Sequence, residues 1–389
     1  MNTFYIENTG TCVRVKVFGE EVRRLFLTNN FKEDSILNSN YILLNTCSFL
    51  ESKSRFFLSR LNEIVKNKKA FQSIVVIGCL GATHKKEIKE ISSEIIILGR
   101  DLSEISNTFG FHVKLKSAIV SIPKDKSKNL SLLSSLNRHV IKNKNLYYRL
   151  NKDKVCYIQI STGCNGKCSY CSEKYTTKLK SHPINEILDT INEGIAKGYK
   201  LFSLSSDDAS AYGTDIGSSL MLLLKEIVKL PEGIQFIIPE FNPQGLSDEV
   251  IELLKDPKFF YITIPIQSGS QRILIDMKRP YSISVVMEKI KQIKKKNPNL
   301  FINTHIIVGY PGETDKDFKK TINVIKSGYF DRVKIFCYSK RPHTYVSGTP
   351  VPYDVIEQRR KIALRTILYQ NLKKLSISNV ILNFDQIKE

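Results

Sequence analysis

Residues 163–171 read GCNGKCSYC. The stretch closes an apolar run at Val155–Ile160 and sets Cys164, Cys168 and Cys171 at spacings of four and three on one short, glycine-containing loop. Three thiolates spaced this way can converge on a single inorganic cube and leave its fourth iron without a protein ligand, open for chemistry. A structural zinc site wants four protein ligands, commonly as two close pairs, and no fourth Cys or His lies nearby. A disulfide framework suits short secreted chains, whereas this chain has 389 residues and no secretory signal is expected. The loop reads as a cluster-binding loop.

Downstream of it the chain alternates strands and helices. Strand-like runs at Val155–Ser161, Leu201–Ser205, Gln235–Pro239, Phe260–Ile264, Phe301–Val308 and Arg332–Tyr338 are separated by polar or glycine-bearing segments and amphipathic helices at Pro183–Lys197, Ser219–Val228, Ser284–Lys295 and Thr314–Ser327. This pattern predicts a partial (β/α)6 barrel whose working face lies at the strand carboxyl ends. On that face fall GCNGKCSYC, SSDDASAYG, PEFNP, PIQSGS and GYPGET. Such polar, glycine-rich loops gather where a nucleotide-like cofactor would sit.

Upstream, buried strands are expected at Thr3–Ile6, Tyr41–Leu44, Ile74–Ile77 and Ile95–Leu98, with helical stretches between them, so a small parallel α/β sheet precedes the barrel. Cys12 falls after the first strand, Cys47 directly after YILLNT and Cys79 directly after SIVVIG. Carboxyl ends of parallel strands open on one edge, where ligands bind, so the three would face one another as a second cluster site. A single buried Cys is commonly structural, but three at equivalent positions are not explained that way. Cys156 and Cys337 lie inside strand runs and read as core residues.

The fold class is therefore α/β, an N-terminal parallel α/β domain at 1–112 followed by the partial barrel at 151–352. Residues 113–150 mix Lys, Ser and Asn with little periodicity and read as a linker, and 353–389 as a basic helix and tail. With 42% hydrophobic, 25% charged and 10% aromatic residues the composition is that of a soluble globular protein. No apolar run approaches the ~18 residues of a membrane span, so no membrane partner is expected. The N-terminus MNTFYIENTG has no basic flank with a long apolar core, which makes a cytoplasmic location the expectation. The net charge of +21, from 59 Lys and Arg against 38 Asp and Glu, favours encounter with a polyanion such as RNA. The lysines are spread over many surfaces, however, and Lys, Asn and Ile are enriched together, as AT-rich coding alone would produce.

A three-cysteine loop of this spacing on a partial barrel, with Tyr170 just before its last Cys, resembles the radical S-adenosylmethionine superfamily. With Cys12, Cys47 and Cys79 ahead of it, the chain is similar to the methylthiotransferases from residue 3 to about 376. Within them LSSDDASAYGTDIG, PIQSGSQRILIDMKRPY and IIVGYPGETDKDF look closest to the archaeal and eukaryotic type that modifies threonylcarbamoyl-adenosine in tRNA.

The resemblance implies two 4Fe–4S clusters and S-adenosylmethionine as cofactors, and a reductase as electron donor. The iron left open by Cys164, Cys168 and Cys171 would bind the amino and carboxylate groups of S-adenosylmethionine, which an electron would cleave to methionine and a 5′-deoxyadenosyl radical that takes hydrogen from an unactivated carbon. The cluster on Cys12, Cys47 and Cys79 would hold a sulfur, methylated by a second S-adenosylmethionine, for capture by the carbon radical. By match to the motifs, Ser206, Asp207 and Asp208 would contact the methionine portion of the cofactor, Gln267 and Ser268 would lie beside its ribose, and Tyr170 would stack near the adenine. For all of these polar residues the alternative is ordinary loop capping.

Departures from the family pattern concentrate in what would face the substrate. Val15 and Phe18 stand where an Asn and an acidic residue are usual, and SEKYTTKLKSHP replaces a basic stretch ending in Arg-Gly. Ile237 replaces a usual Arg, His305 replaces an Asp, and the C-terminal TRAM domain is expected to be missing. A methylthiotransferase acting on a ribosomally made peptide or protein side chain is narrowly favoured. The alternatives are action on tRNA, through the barrel motifs and the charge, and a non-catalytic iron–sulfur binding module, against which the presence of all six presumed ligands argues.

Overall fold

The computed structural model describes residues 2–8, 12–48, 50–113 and 155–377. Of the expected linker only residue 113 falls among them, and the tail after residue 377 lies outside them. In the N-terminal region β1 (Thr3–Glu7), α1 (Val13–Thr28), β2 (Lys32–Glu33), β3 (Tyr41–Thr46), α2 (Glu51–Asn67), β4 (Ser73–Gly78), α3 (Cys79–Thr83), α4 (Lys85–Ile91), β5 (Ile96–Ile97) and α5 (Leu102–Phe109) follow in turn. The strands form one sheet in the order β2-β1-β3-β4-β5, with every pair parallel. All four expected strands are present; β2 has only two residues, both polar, and carries no apolar signal.

Helices cover both faces of this sheet, which is why its strands read as continuous apolar runs. On one face Phe4, Ile6, Leu43, Val75 and Ile77 pack with Phe18, Val22, Leu25 and Phe26 of α1 and Ile105 of α5. On the other, Ile42, Leu44, Ile74 and Val76 pack with Phe57, Leu61 and Ile64 of α2 and with Leu80 and Ile88. Neighbouring residues of a strand thus belong to different cores, the period of two that an extended backbone imposes.

The later residues form β6 (Val155–Gln159), a two-stranded antiparallel ribbon of β7 (Ser161–Thr162) and β8 (Lys180–Ser181), α6 (Ile184–Ala196), β9 (Leu201–Ser205), α7 (Leu220–Val228), β10 (Gln235–Ile238), α8 (Asp248–Leu253), β11 (Phe259–Thr263), α9 (Gln271–Asp276), α10 (Ile283–Lys296), β12 (Phe301–Val308), α11 (Asp315–Lys326), β13 (Arg332–Cys337) and α12 (Tyr353–Ile377). The strand order β6-β9-β10-β11-β12-β13 is chain order without a crossover, the topology expected of a (β/α)6 partial barrel. Ser219 and Thr314 are the N-caps of α7 and α11, the latter as a full capping box with Asp317. Among the described residues no helix is long and apolar enough to cross a membrane.

By packing, the chain falls into two units. Of the described residues, the first comprises those up to 113, 156–240 and 339–346, and the second 155, 241–338 and 347–377. The first therefore contains the whole N-terminal sheet together with β9, β10 and the GCNGKCSYC loop. Within the second, β11, β12 and β13 pair in parallel, and Arg359 of α12 reaches the buried Glu313 (2.9 Å) and Asp315 (2.8 Å) around the start of α11.

Candidate active site

Neighbouring strands β1, β3 and β4 end side by side, about 4.8 Å apart, and a cysteine follows each. Cys12 is the N-cap of α1, Cys47 comes directly after β3, and Cys79 opens α3. The strand ends are stapled. Thr46 Oγ1 donates to Ile77 O (2.6 Å) and accepts from Leu80 N–H (3.2 Å). Asn45 Nδ2 donates to Asn8 Oδ1 (2.6 Å) and Val15 O (2.7 Å), which draws the start of α1 onto β3. Gly78 has φ of +93°, and an added Cβ would lie 2.4 Å from Thr46 O, so only glycine lets the chain turn into Cys79 this close to Cys47.

The result is a gathered triad. Cys12 is held below the ordinary thiol range by a hydrogen bond from Cys47, against its burial and with help from Arg14 and Arg100. Cys79 is pushed up to about 12 by burial, with Glu173, Cys12 and Asp207 adding to the effect and Arg100 opposing it. Two carboxylates from beyond residue 160 thus act directly on a cysteine of the N-terminal sheet, and α3 packs on the 3-10 turn Glu173–Tyr175 that follows Cys171.

The second triad sits on its own loop. Gly163 has φ of +76°, and a Cβ there would lie 2.2 Å from Lys178 O. A Cβ at Gly166 would lie 3.0 Å from Cys164 Sγ and 3.9 Å from Cys168 Sγ, so this glycine leaves open the space between two sulfurs. Gly166 N–H donates to Cys164 Sγ (3.1 Å) and Glu173 N–H to Cys171 Sγ (3.4 Å). Burial, with Asp208 adding, pushes Cys164 up to about 12; burial, with Glu173 adding, pushes Cys171 up to about 11. Those protons must leave when metal binds, because the thiolate is the ligand.

Among the described residues no three His, Cys, Asp or Glu side chains close around a single ion. A cubane instead spreads its three thiolates over separate irons. The open triads, the N–H groups aimed at sulfur and the glycine-lined space suit that geometry and that soft donor set.

Between the triads lies a buried ion network. Asp207 Oδ1 accepts from Arg14 Nη1 (2.6 Å) and Arg100 Nη1 (3.0 Å), and Oδ2 accepts from Gly163 N–H (2.7 Å). Arg100 Nη1 also reaches Glu173 Oε2 (3.4 Å). The Asp207 side chain is 1% exposed, that of Arg100 2% and that of Arg14 16%. Burial alone would raise Asp207; the two guanidiniums and the Gly163 N–H outweigh it and hold the carboxyl below its ordinary range.

The remaining expected residues divide. Ser206 is fully buried at the end of β9, and its hydroxyl has no hydrogen-bond partner. Asp208 caps the turn Ala209–Ala211 through Ser210 N–H (3.0 Å) and Ser210 Oγ (2.7 Å), and accepts from the Cys164 thiol (3.7 Å). Asp207, expected to meet the cofactor's methionine portion, is engaged by Arg14, Arg100 and the cysteine loop. Tyr170 is 9% exposed.

In the second unit, Gln267 adopts a left-handed φ of +62°, bonds through its backbone to His305 O and Ile307 N, and buries Oε1 without a partner. Ser268 Oγ lies 3.4 Å from Thr321 Oγ1 and accepts from Ser270 N–H (3.1 Å). Ile237 is buried apolar surface, and His305 lies 3.3 Å from Asn303 Nδ2 and edge-on to Phe336. Cys156 is core. Cys337 differs from the expectation: at the end of β13 it is half-buried, with its thiol 3.5 Å from Glu357 Oε1.

Sequence reasoning missed Arg14, Arg100, Glu173 and the stapling pair Asn45 and Thr46. Arg14 carried a usable signal. It sits in the first turn of α1, which has no acidic residue, where a cation opposes the helix dipole and so needs a partner from elsewhere.

The radical SAM superfamily matches residues 158–325, and uncharacterized protein family UPF0004 matches residues 3–99. The ribosomal protein uS12 methylthiotransferase RimO of Chlamydia pneumoniae is 30% identical over 375 residues, covering 93% of this chain and 76% of that protein. A probable threonylcarbamoyladenosine tRNA methylthiotransferase of Pyrococcus horikoshii is 29% identical over 369 residues, covering 93% and 83%. Among solved structures, the radical S-adenosylmethionine methyltransferase TsrM of Kitasatospora setae has a TM-score of 0.61 at 12% identity, covering 88% of this chain and 74% of that one. At that identity the likeness concerns the fold.

Proposed function

Because this chain belongs to the radical S-adenosylmethionine methylthiotransferase family, we propose that it replaces an unactivated C–H hydrogen of a ribosomally made peptide or protein side chain by a methylthio group. The observation that carries this reading is the gathering of two cysteine triads in one packed unit, with Asp207, Arg14 and Arg100 between them.

Two 4Fe–4S clusters and S-adenosylmethionine supply, when bound, the hydrogen-abstracting radical and the methylated sulfur. Cys164, Cys168 and Cys171 would hold one cluster, and Cys12, Cys47 and Cys79 the other. The orphan hydroxyl of Ser206 and the carboxylate of Asp208 are suited to polar groups of the cofactor, and the orphan Gln267 Oε1 is suited to accept from its ribose. Tyr170 would flank the adenine. Each buried orphan is a site where a bound group would restore a hydrogen bond, which is worth more in a dry cavity than in water. In domain terms, residues 1–112 would serve the sulfur-carrying cluster and 151–352 the radical. A reductase would supply electrons, and a reducing, cytoplasmic setting fits ligands that must remain thiolates.

For the substrate, two features support a protein side chain: the 30% identity to an enzyme named for a ribosomal protein, and the loss of a charged fork at Ile237 together with a His at position 305. The second reading, tRNA, is supported by the +21 net charge and by the 29% identity to an enzyme named for tRNA. Reduced, cluster-reconstituted protein with methyl-labelled S-adenosylmethionine, offered ribosomal protein or total tRNA, separates them. A gain of one SCH2 unit on a peptide is the expected result. The same gain on a nucleoside, with binding that falls steeply with salt, would replace the first reading by the second. No 5′-deoxyadenosine above background would overturn catalysis altogether.

A further inference from the structure

The four loops that carry or adjoin the cysteines are tied together by charge, and the sign of the charge follows the region. Both cations come from the N-terminal region: Arg14 two residues after Cys12, and Arg100 next to Gly99, whose carbonyl accepts from Gly78 N–H (3.3 Å) immediately before Cys79. Both carboxylates come from the barrel segment: Asp207, bonded to Gly163 N–H immediately before Cys164, and Glu173, whose N–H donates to Cys171 Sγ. Arg14 and Glu173 are thus two residues from a presumed cluster ligand, Asp207 bonds the residue before one, Arg100 adjoins a residue that does, and each ion pair crosses from one triad to the other.

The network runs against local rules in two ways. Arg14 sits at the helix end that repels cations, and Asp207 and Arg100 are buried where charges are costly unless paired. Local conflicts of this kind persist where they serve a site. The contacts are also directional: a planar guanidinium has fixed donor directions, and Asp207 Oδ1 takes one donor from each arginine while Oδ2 takes a backbone N–H. An apolar seam of the same volume would also hold the two regions together, but through contacts that have no preferred direction.

We propose that Asp207, with Arg14 and Arg100, is a positioning clamp that sets the separation and orientation of the two cysteine triads, and hence of the two clusters. The inference rests on the two-cluster reading above and assigns Asp207 to alignment rather than to cofactor contact. Chemistry that begins at one cluster and ends with a group carried by the other tolerates little misplacement. Loosening the clamp leaves both clusters in place and alters their spacing.

The test is the magnetic interaction between the two clusters in fully reduced, reconstituted protein, since dipolar coupling falls with the inverse cube of separation. Wild type, Asp207→Asn and Arg14→Gln are compared, each with its iron content and its 5′-deoxyadenosine formation. Arg14 is the most exposed of the three, so Arg14→Gln keeps the test available if Asp207→Asn does not fold. The expected result is about eight irons in each protein, the content of two cubanes, with the spin coupling of the wild type lost in Asp207→Asn and reduced in Arg14→Gln, and with radical formation retained. Arg14→Lys, which keeps the charge but not the fork, should regain part of the coupling. About eight irons with unchanged coupling in the variants would overturn the clamp alone. About four irons in the wild type, a single cubane, would overturn the two-cluster reading and the clamp with it.

Discussion

Replacing Glu21 by Gln should stabilise the protein above neutral pH and do nothing in acid. Glu21 lies on α1 and lines a cavity of about 420 Å³ together with Arg100, Gln159 and Thr162. Burial pushes its carboxyl up to about 7 from an ordinary 4.5, and Arg100 and Arg24 only partly offset this. Between those two values the folded chain binds a proton that the unfolded chain has released, so stability falls as pH rises through this window and is lowest above it. A shift of this size corresponds to about 3 kcal/mol at 1.36 kcal/mol per unit.

Glu21→Gln keeps the shape and removes the titration, so the variant should gain up to about 3 kcal/mol over wild type at pH 8, about half of that near pH 6, and nothing at pH 4.5 or below. Anaerobic urea unfolding of both proteins across this range, followed through the first transition because a chain of two units need not unfold in one step, measures the difference. A variant less stable than wild type at pH 8 would refute the reasoning, because it would mean that the ionised carboxylate is net favourable beside Arg100.

Other perturbations follow from the same geometry. Gly163→Ala forces a side chain into a left-handed backbone and onto Lys178 O, at about 1–2 kcal/mol for the conformation alone; reconstituted protein should fall from about eight irons to about four, the content of one cubane. Cys164→Ala should abolish cleavage of S-adenosylmethionine, read as 5′-deoxyadenosine, whereas Cys47→Ala should keep cleavage and lose methylthio transfer. Arg359→Met strands Glu313, which is fully buried and already raised by burial, so urea unfolding should lose about 3–5 kcal/mol, the cost of breaking a buried pair. Adding Glu313→Gln should recover part of that loss.

The strands of the N-terminal sheet were legible because both of its faces are covered, which makes them near-continuous apolar runs. Cys12, Cys47 and Cys79 were legible as a set because parallel strands share one carboxyl edge and β1, β3 and β4 are neighbours in it. Chain order also announced the six barrel strands, since no crossover rearranges them. What the chain order hides is pairing across distance: Arg14 and Arg100 lie 193 and 107 residues from Asp207, and no local pattern links them. The two-residue β2 was hidden for a different reason, because Lys32 and Glu33 bury no apolar face.

The Asp207–Asp208 pair shows where reading by motif stops. Match to the family motif sets both of them, with Ser206, against one ligand, the methionine portion of the cofactor. An extended backbone sends consecutive side chains to opposite sides, and Asp208, with φ of −147° and ψ of 101°, is extended. One carboxylate therefore turns toward Arg14 and Arg100 and the other toward Cys164 and Ser210. Their environments differ accordingly: Asp207 is nearly sealed from solvent and held between two fixed cations, and Asp208 caps a turn beside a presumed ligand thiol. A shift of one residue at the end of β9 would exchange the two roles. That register is set by how β9 pairs with β10, by Ile160 N–H bonding to Ser205 O and by Gly163 reaching back to Asp207, all of them contacts between segments far apart in the chain. The sequence states that two carboxylates stand at this edge; only the packing decides which one faces the arginines.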